Sequence, residues 1–181
     1  IEFSTECNPD GTPIREEDID KCYKPENYDG KYRGPITFRD ALAQSVNVPS
    51  IQVLYLAGLR DSLRLAKDMG LSTLGDHDRY GLTLVLGGGE VKLLELTSAY
   101  AAFAAEGVRR EPTGILRIEA KNGTVMEEWR DRPEPVLEPD IVLQITDILS
   151  DNKARTPAFG VSSPLSFPGR DVAAKTGTTN D

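Results

Sequence analysis

Several residue types are scarce in this sequence, and each scarcity closes a route. The 181 residues contain one histidine, two cysteines and one tryptophan. A lone His77, set in the polar stretch GDHDRYG, gives poor support for a zinc site and reads as a solvated loop residue, so no metal site is expected. No run of Lys or Arg is present and the formal charge is -8, which leaves nothing to neutralise a phosphate backbone and excludes nucleic acid as a partner. No apolar stretch reaches the roughly 18–20 residues needed to cross a bilayer, and no charged-then-apolar leader opens the chain. Any anchor or export signal is therefore expected outside these residues.

What is present divides unevenly. Residues 1–35 are rich in Pro, Gly and charge and read as an irregular entry region. Cys7 and Cys22 flank a polar, turn-rich loop of about 15 residues whose closure would stabilise the fold by about 3 kcal/mol. Two unrelated thiols would fit the same spacing. From Thr37 onward, TFRDALAQS carries the T-x-x-D form of a capping box and predicts a short helix. That helix is expected to stop at SVNVPS, with Ser45 and Asn47 on a tight connection and Pro49 near the first position of a second helix.

LRDSLRLAKDMG reads as a third helix closed by Gly70. EVKLLELTSAYAAFAAEG is the strongest helix signal, with Leu93, Leu96, Tyr100 and Phe103 lining one apolar face and Gly107 as its stop. GILRIEA and TVMEEWR flank Asn122-Gly123, a hairpin signal that also explains the residues of an apparent N-glycosylation acceptor. PDIVLQITDILSDN predicts an amphipathic helix, and GRDVAAKTGTT a strand. Residues 36–181 thus read as an α+β fold, an antiparallel sheet flanked by helices, in a single domain.

Two chemistries compete for the tail. GRDVAAKT lies one residue from a phosphate-binding loop, but Ala174 stands where a glycine must let backbone N–H groups curl round phosphate, and TGTT is poor helix material. The alternative pairs S-V-N with K-T-G, two of the three elements of serine β-lactamases and penicillin-binding proteins. With YKPENYDGKYRGPITFRDALAQSVNVPSIQVLYLAG, LVLGGGEVKLLELTSAYAAFAAEGV and FPGRDVAAKTGTTND around them, the chain from about Tyr23 to Asp181 resembles the transpeptidase domain of class A, bifunctional penicillin-binding proteins.

That resemblance implies an extracytoplasmic D-Ala-D-Ala transpeptidase that cross-links peptidoglycan stem peptides through a serine acyl-enzyme and is inhibited by β-lactams. It implies chemistry without a metal or organic cofactor, and an N-terminal glycosyltransferase domain and a membrane anchor in the full protein. Ser45 and Lys175 would be catalytic, as a proton relay; Asn47, Thr176, Gly177, Thr178 and Thr179 would bind substrate. In that compartment a Cys7–Cys22 bridge would fit. A serine β-lactamase or D,D-carboxypeptidase of the same fold, or a non-catalytic penicillin-sensing or scaffolding domain, are the competing readings.

The third element, S-x-x-K, poses a difficulty. Only Ser150, in SDNK, has a lysine three positions on, and it lies between S-V-N and K-T-G rather than before both. A solvated helix end is the expected role for Ser150. The nucleophile segment and the strands that follow K-T-G in the family are then expected outside these residues, which would make the chain an incomplete fragment, inert by itself.

Overall fold

The structure is a computed structural model that describes residues 12–17, 22, 25–75 and 79–177. Six helices and four short strands follow the chain order expected for α+β: α1 (Phe38–Ala43), α2 (Asn47–Ala57), α3 (Leu59–Asp68), α4 (Leu93–Ala104), β1 (Val108–Arg109), β2 (Arg117–Glu119), β3 (Val125–Glu128), β4 (Glu134–Pro135), α5 (Pro139–Ser150) and α6 (Asn152–Phe159). A 3₁₀ turn at Leu82–Leu86 packs against α2. Before α1 the described residues hold an isolated bridge at Pro13, a short 3₁₀ turn at 16–17 and a turn closed by the Gly30 amide on the Asn27 carbonyl at 2.9 Å, in keeping with the Pro- and charge-rich composition. Cys22 is disulfide-bonded; Cys7 and His77 lie outside the described residues. Among the described residues no helix is long and apolar enough to cross a membrane.

The first helix starts as its sequence dictates. Thr37 is extended, its Oγ1 accepts from the Asp40 amide at 3.1 Å, and it donates to the Asp40 carboxylate at 2.7 Å. α2 begins earlier than its proline suggested: Asn47 is its first residue and Pro49 its third, a place where the missing N–H is still outside the helical ladder. Its N-terminus is held from afar by buried Asn27, whose Oδ1 accepts from the Val48 amide at 3.0 Å while its Nδ2 donates to the Lys31 carbonyl at 2.7 Å.

The core is small and helical. Ile51 and Leu54 of α2, Leu63 of α3, Ala99 and Ala102 of α4, and Val142 of α5 are buried, with Ile51 fully so. Here the buried face of α4 is not its apolar stripe. Leu93 is 80% exposed and Tyr100 49%, whereas the two alanines carry the packing. The reason is proximity: α4 lies against β1 and α5, and only small side chains fit at such a contact. At its end Gly107, with φ 91°, turns the chain directly under Leu137, whose carbonyl leaves no room for a Cβ; its own carbonyl accepts from Val136 and Leu137.

Two further expectations about strands come out differently. Among the described residues the antiparallel pairing falls into two ribbons, β1 with β4 and β2 with β3, rather than one sheet. The β2–β3 hairpin turns at Asn122-Gly123 as predicted, with Gly123 at φ 81° and Asn122 Oδ1 accepting from the Thr124 amide. Residues 171–177, predicted as the K-T-G strand, pair with no strand among the described residues. A strand exists only where a neighbour completes its ladder; here the Ala174 amide finds instead the carbonyl of Leu149 at 2.9 Å, at the end of α5.

α6 was not foreseen. The amphipathic helix is predicted to run through PDIVLQITDILSDN, but Asp151 ends one helix and caps the next, its Oδ1 accepting from the Ala154 amide at 2.9 Å. The corner between α5 and α6 is the surface on which α1 rests. Arg39 of α1 pairs with Asp147 and, at 3.0 Å, with Asp151, and Gln44 Nε2 donates to the Ala154 carbonyl at 3.2 Å.

Candidate active site

The α1–α2 turn ends α1 with a pair of reversed hydrogen bonds: the Val46 amide reaches the Ala41 carbonyl at 2.9 Å and the Ser45 amide the Leu42 carbonyl at 3.1 Å. This is the Schellman arrangement, which needs a left-handed residue just past the helix and normally uses glycine there. Ser45 occupies that position with φ 56°. A serine held left-handed costs on the order of 1–3 kcal/mol. What it gains over glycine is a hydroxyl projecting from a rigid turn.

That hydroxyl meets Lys175. Lys175 Nζ donates to Ser45 Oγ at 2.6 Å and to its neighbour's carbonyl, Thr176 O, at 2.8 Å, joining residues 130 positions apart. The lysine is half-buried, and burial, which penalises the ammonium, lowers its pKa below the ordinary lysine range. A lysine so placed exchanges a proton with a hydroxyl more readily than a solvated one.

The remaining expected residues divide. Asn47 lies two residues from Ser45, with Nδ2 donating to the Glu26 carbonyl at 3.2 Å, so the entry segment fixes its amide. Thr176 is half-buried beside Lys175, and Gly177 is exposed with open space where a side chain would project. Thr178 and Thr179 lie outside the described residues. Ser150 has its hydroxyl turned back onto its own helix, donating to Thr146 O at 2.8 Å and Asp147 O at 3.1 Å, as a helix-end serine does.

Two buried polar residues outside the S-V-N and K-T-G segments gave no sequence signal. Asn27, in a loop, anchors the first turn of α2. Arg155, inside a polar stretch, is only 2% exposed and donates to the carbonyls of Leu149 and Leu165. An apolar groove of about 750 Å³ runs beside α2 between Tyr32, Phe38, Pro49 and Leu56, but Ser45, Asn47 and Lys175 do not line it.

Comparison with known proteins gives the family of the chain. The family of the penicillin binding protein transpeptidase domain matches residues 10–181. Penicillin-binding protein 1A of Aquifex aeolicus is 37% identical over 158 residues, covering 87% of this chain and 20% of that protein. Penicillin-binding protein 1A/1B of Bacillus subtilis is 31% identical over 182 residues, covering 99% and 18%. The chain therefore spans about a fifth of the length of these relatives.

Among solved structures, penicillin-binding protein 1A from Haemophilus influenzae superposes with a TM-score of 0.62 at 22% identity, over 73% of this chain and 24% of that one. Penicillin-binding protein A from M. tuberculosis, as an imipenem acyl-enzyme complex, gives 0.65 at 18% identity, over 86% and 39%. At those identities the likeness establishes the fold. With the match over nearly its whole length, the chain belongs to the penicillin-binding protein transpeptidase domain family.

Proposed function

We propose that this chain forms two walls of a D-Ala-D-Ala transpeptidase site that cross-links peptidoglycan stem peptides and is acylated by β-lactams. The observation that carries the reading is the 2.6 Å bond between Lys175 Nζ and Ser45 Oγ. Acyl transfer to an amine needs a nucleophile, a relay that returns its proton to the leaving amine, and donors for the oxyanion and the terminal carboxylate. Ser45 and Lys175 supply the relay. The nucleophilic serine belongs to an S-x-x-K element preceding S-V-N in the full protein; the turned-back hydroxyl of Ser150 supports that assignment over SDNK.

In the reaction the nucleophile Oγ attacks the carbonyl of the penultimate D-alanine, the C–N bond to the terminal D-alanine breaks, and the proton passes through Ser45 to that amine. An acceptor amine then attacks the ester carbonyl, the acyl C–O bond breaks, and the amine's proton returns to the serine Oγ as the amide cross-link forms. Asn47 orients the donor peptide, Thr176 and Thr178 with Thr179 receive its terminal carboxylate, and Gly177 lets it lie close to the backbone. The full protein works outside the cytoplasmic membrane, joined to a glycosyltransferase domain and an anchor.

Labelling of the full-length protein with a fluorescent penicillin tests this. The wild type is expected to form a stable covalent adduct, and Lys175→Ala to slow its formation by about 10²–10⁴-fold. No adduct on the folded wild type would refute a transpeptidase, and rapid release to water would favour a β-lactamase or carboxypeptidase.

A further inference from the structure

Arg155 is a buried cation whose described partners are two backbone carbonyls. Burying a guanidinium is costly unless its donors are matched, so the question is what this one holds in place. Leu149 is the second-last residue of α5, and its carbonyl is one of the four that a helix leaves without an internal donor, at the negative end of the helix dipole. Two donors converge on it: the Arg155 guanidinium, and the backbone amide of Ala174 at 2.9 Å. Ala174 immediately precedes Lys175.

The second arm of the guanidinium reaches Leu165 O at 3.0 Å. It thereby fixes the 160–170 loop, which is tightened further by buried Ser163, whose Oγ accepts from the Leu165 amide at 3.1 Å. That loop leads into the K-T-G segment. On the other side of the same corner, Ala154, adjacent to Arg155, takes the Gln44 side chain through its carbonyl, and Gln44 immediately precedes Ser45. The two halves of the Ser45–Lys175 pair thus hang from neighbouring points of one corner. Among the other charged groups of this corner, Arg39 pairs with both Asp147 and Asp151, and Lys153 is exposed.

We propose that Arg155 is a positioning residue for the Ser45–Lys175 pair: it clamps the α5–α6 corner through Leu149 O and so sets the distance between the lysine and the serine hydroxyl. This rests on the reading of that pair as the proton relay. A planar fork holds two carbonyls at once in one fixed geometry, which the single rotating ammonium of a lysine does less rigidly and an apolar side chain cannot do at all.

The test uses the full-length protein and a fluorescent penicillin, with acylation rate measured across pH and folding followed by thermal melting. Arg155→Met is expected to slow acylation by about a hundredfold, the scale of a misplaced reactive group. The limb of the pH profile governed by Lys175 should move to higher pH, because a loosened lysine regains water. Arg155→Lys should recover part of both effects. Global destabilisation alone would lower the melting temperature without moving that limb.

Folded Arg155 variants with wild-type rate and limb would overturn the proposal. If Arg155→Met does not fold, Gln44→Ala decides through the other arm: a shifted limb supports the clamped corner, and an unshifted one overturns it. Lys175→Ala separates the two levels of the argument. Wild-type acylation in Lys175→Ala would remove the relay reading and the proposal with it, whereas a large loss there beside unaffected Arg155 variants would remove the proposal alone.

Discussion

Two tight turns of this molecule place one residue in the left-handed region, and they do so with opposite chemistry. The β2–β3 turn uses Gly123 at φ 81°, where the conformation is free of strain, and joins strands whose residues are all exposed. The α1–α2 turn uses Ser45 at φ 56°, where it is not, and is gripped by Asn27 and the α5–α6 corner. The hairpin turn follows from local propensity alone. The helical turn spends stability on a hydroxyl, and its surroundings must hold it there.

Substitutions at the two turns should therefore separate stability from activity. Ser45→Gly is expected to cut penicillin acylation by about 10²–10⁴-fold while leaving the protein as stable or about 1 kcal/mol more stable, measured by denaturant melts beside labelling. A loss of both would mean that the serine is structural. Ile51→Ala, behind the same turn in the fully buried part of α2, should destabilise by about 2–5 kcal/mol with acylation reduced only in proportion to the unfolded fraction. Gly123→Ala strains the hairpin turn and should cost about 1–3 kcal/mol, with acylation unchanged; an acylation defect there would give the hairpin a role that its exposure does not suggest.

The smallest effect concerns pH. Glu95 accepts from the Ser72 hydroxyl and amide at 2.7 and 2.8 Å and from Lys92 at 2.9 Å, which together lower its pKa to about 2. Because the folded value lies below the ordinary glutamate range, the stabilisation is present at neutral pH and is lost as pH falls through the ordinary value toward about 2. Glu95→Gln should flatten that part of the acid-stability profile, and an unchanged profile would show that the tie between the α3–α4 loop and α4 is not maintained in solution.

How far the sequence could be read follows from where each signal was local. The capping of α1 by Thr37, the hairpin at Asn122-Gly123 and the order of S-V-N and K-T-G are written in adjacent residues, and the structure shows the first two and brings the last pair together. The buried face of α4 was not legible, because periodicity marks apolar residues, while close packing against β1 and α5 selects Ala99 and Ala102. The K-T-G strand failed for a related reason: β propensity in GRDVAAKTGTT cannot supply a partner. α6 and Arg155 were invisible, since Pro157 and the polar run around it disguise a helix, and nothing local marks an arginine as buried. Ser45's conformation was equally hidden, although the helix stop was placed correctly.

The central claim is that Ser45 and Lys175 act as one unit, and a double-mutant cycle on acylation of the full-length protein tests it most directly. Ser45→Ala and Lys175→Ala should each cost a large factor, and the double variant little more than the worse single one, because both break the same 2.6 Å contact. Losses that multiply, with each variant folded, would show two independent groups and contradict a shared relay.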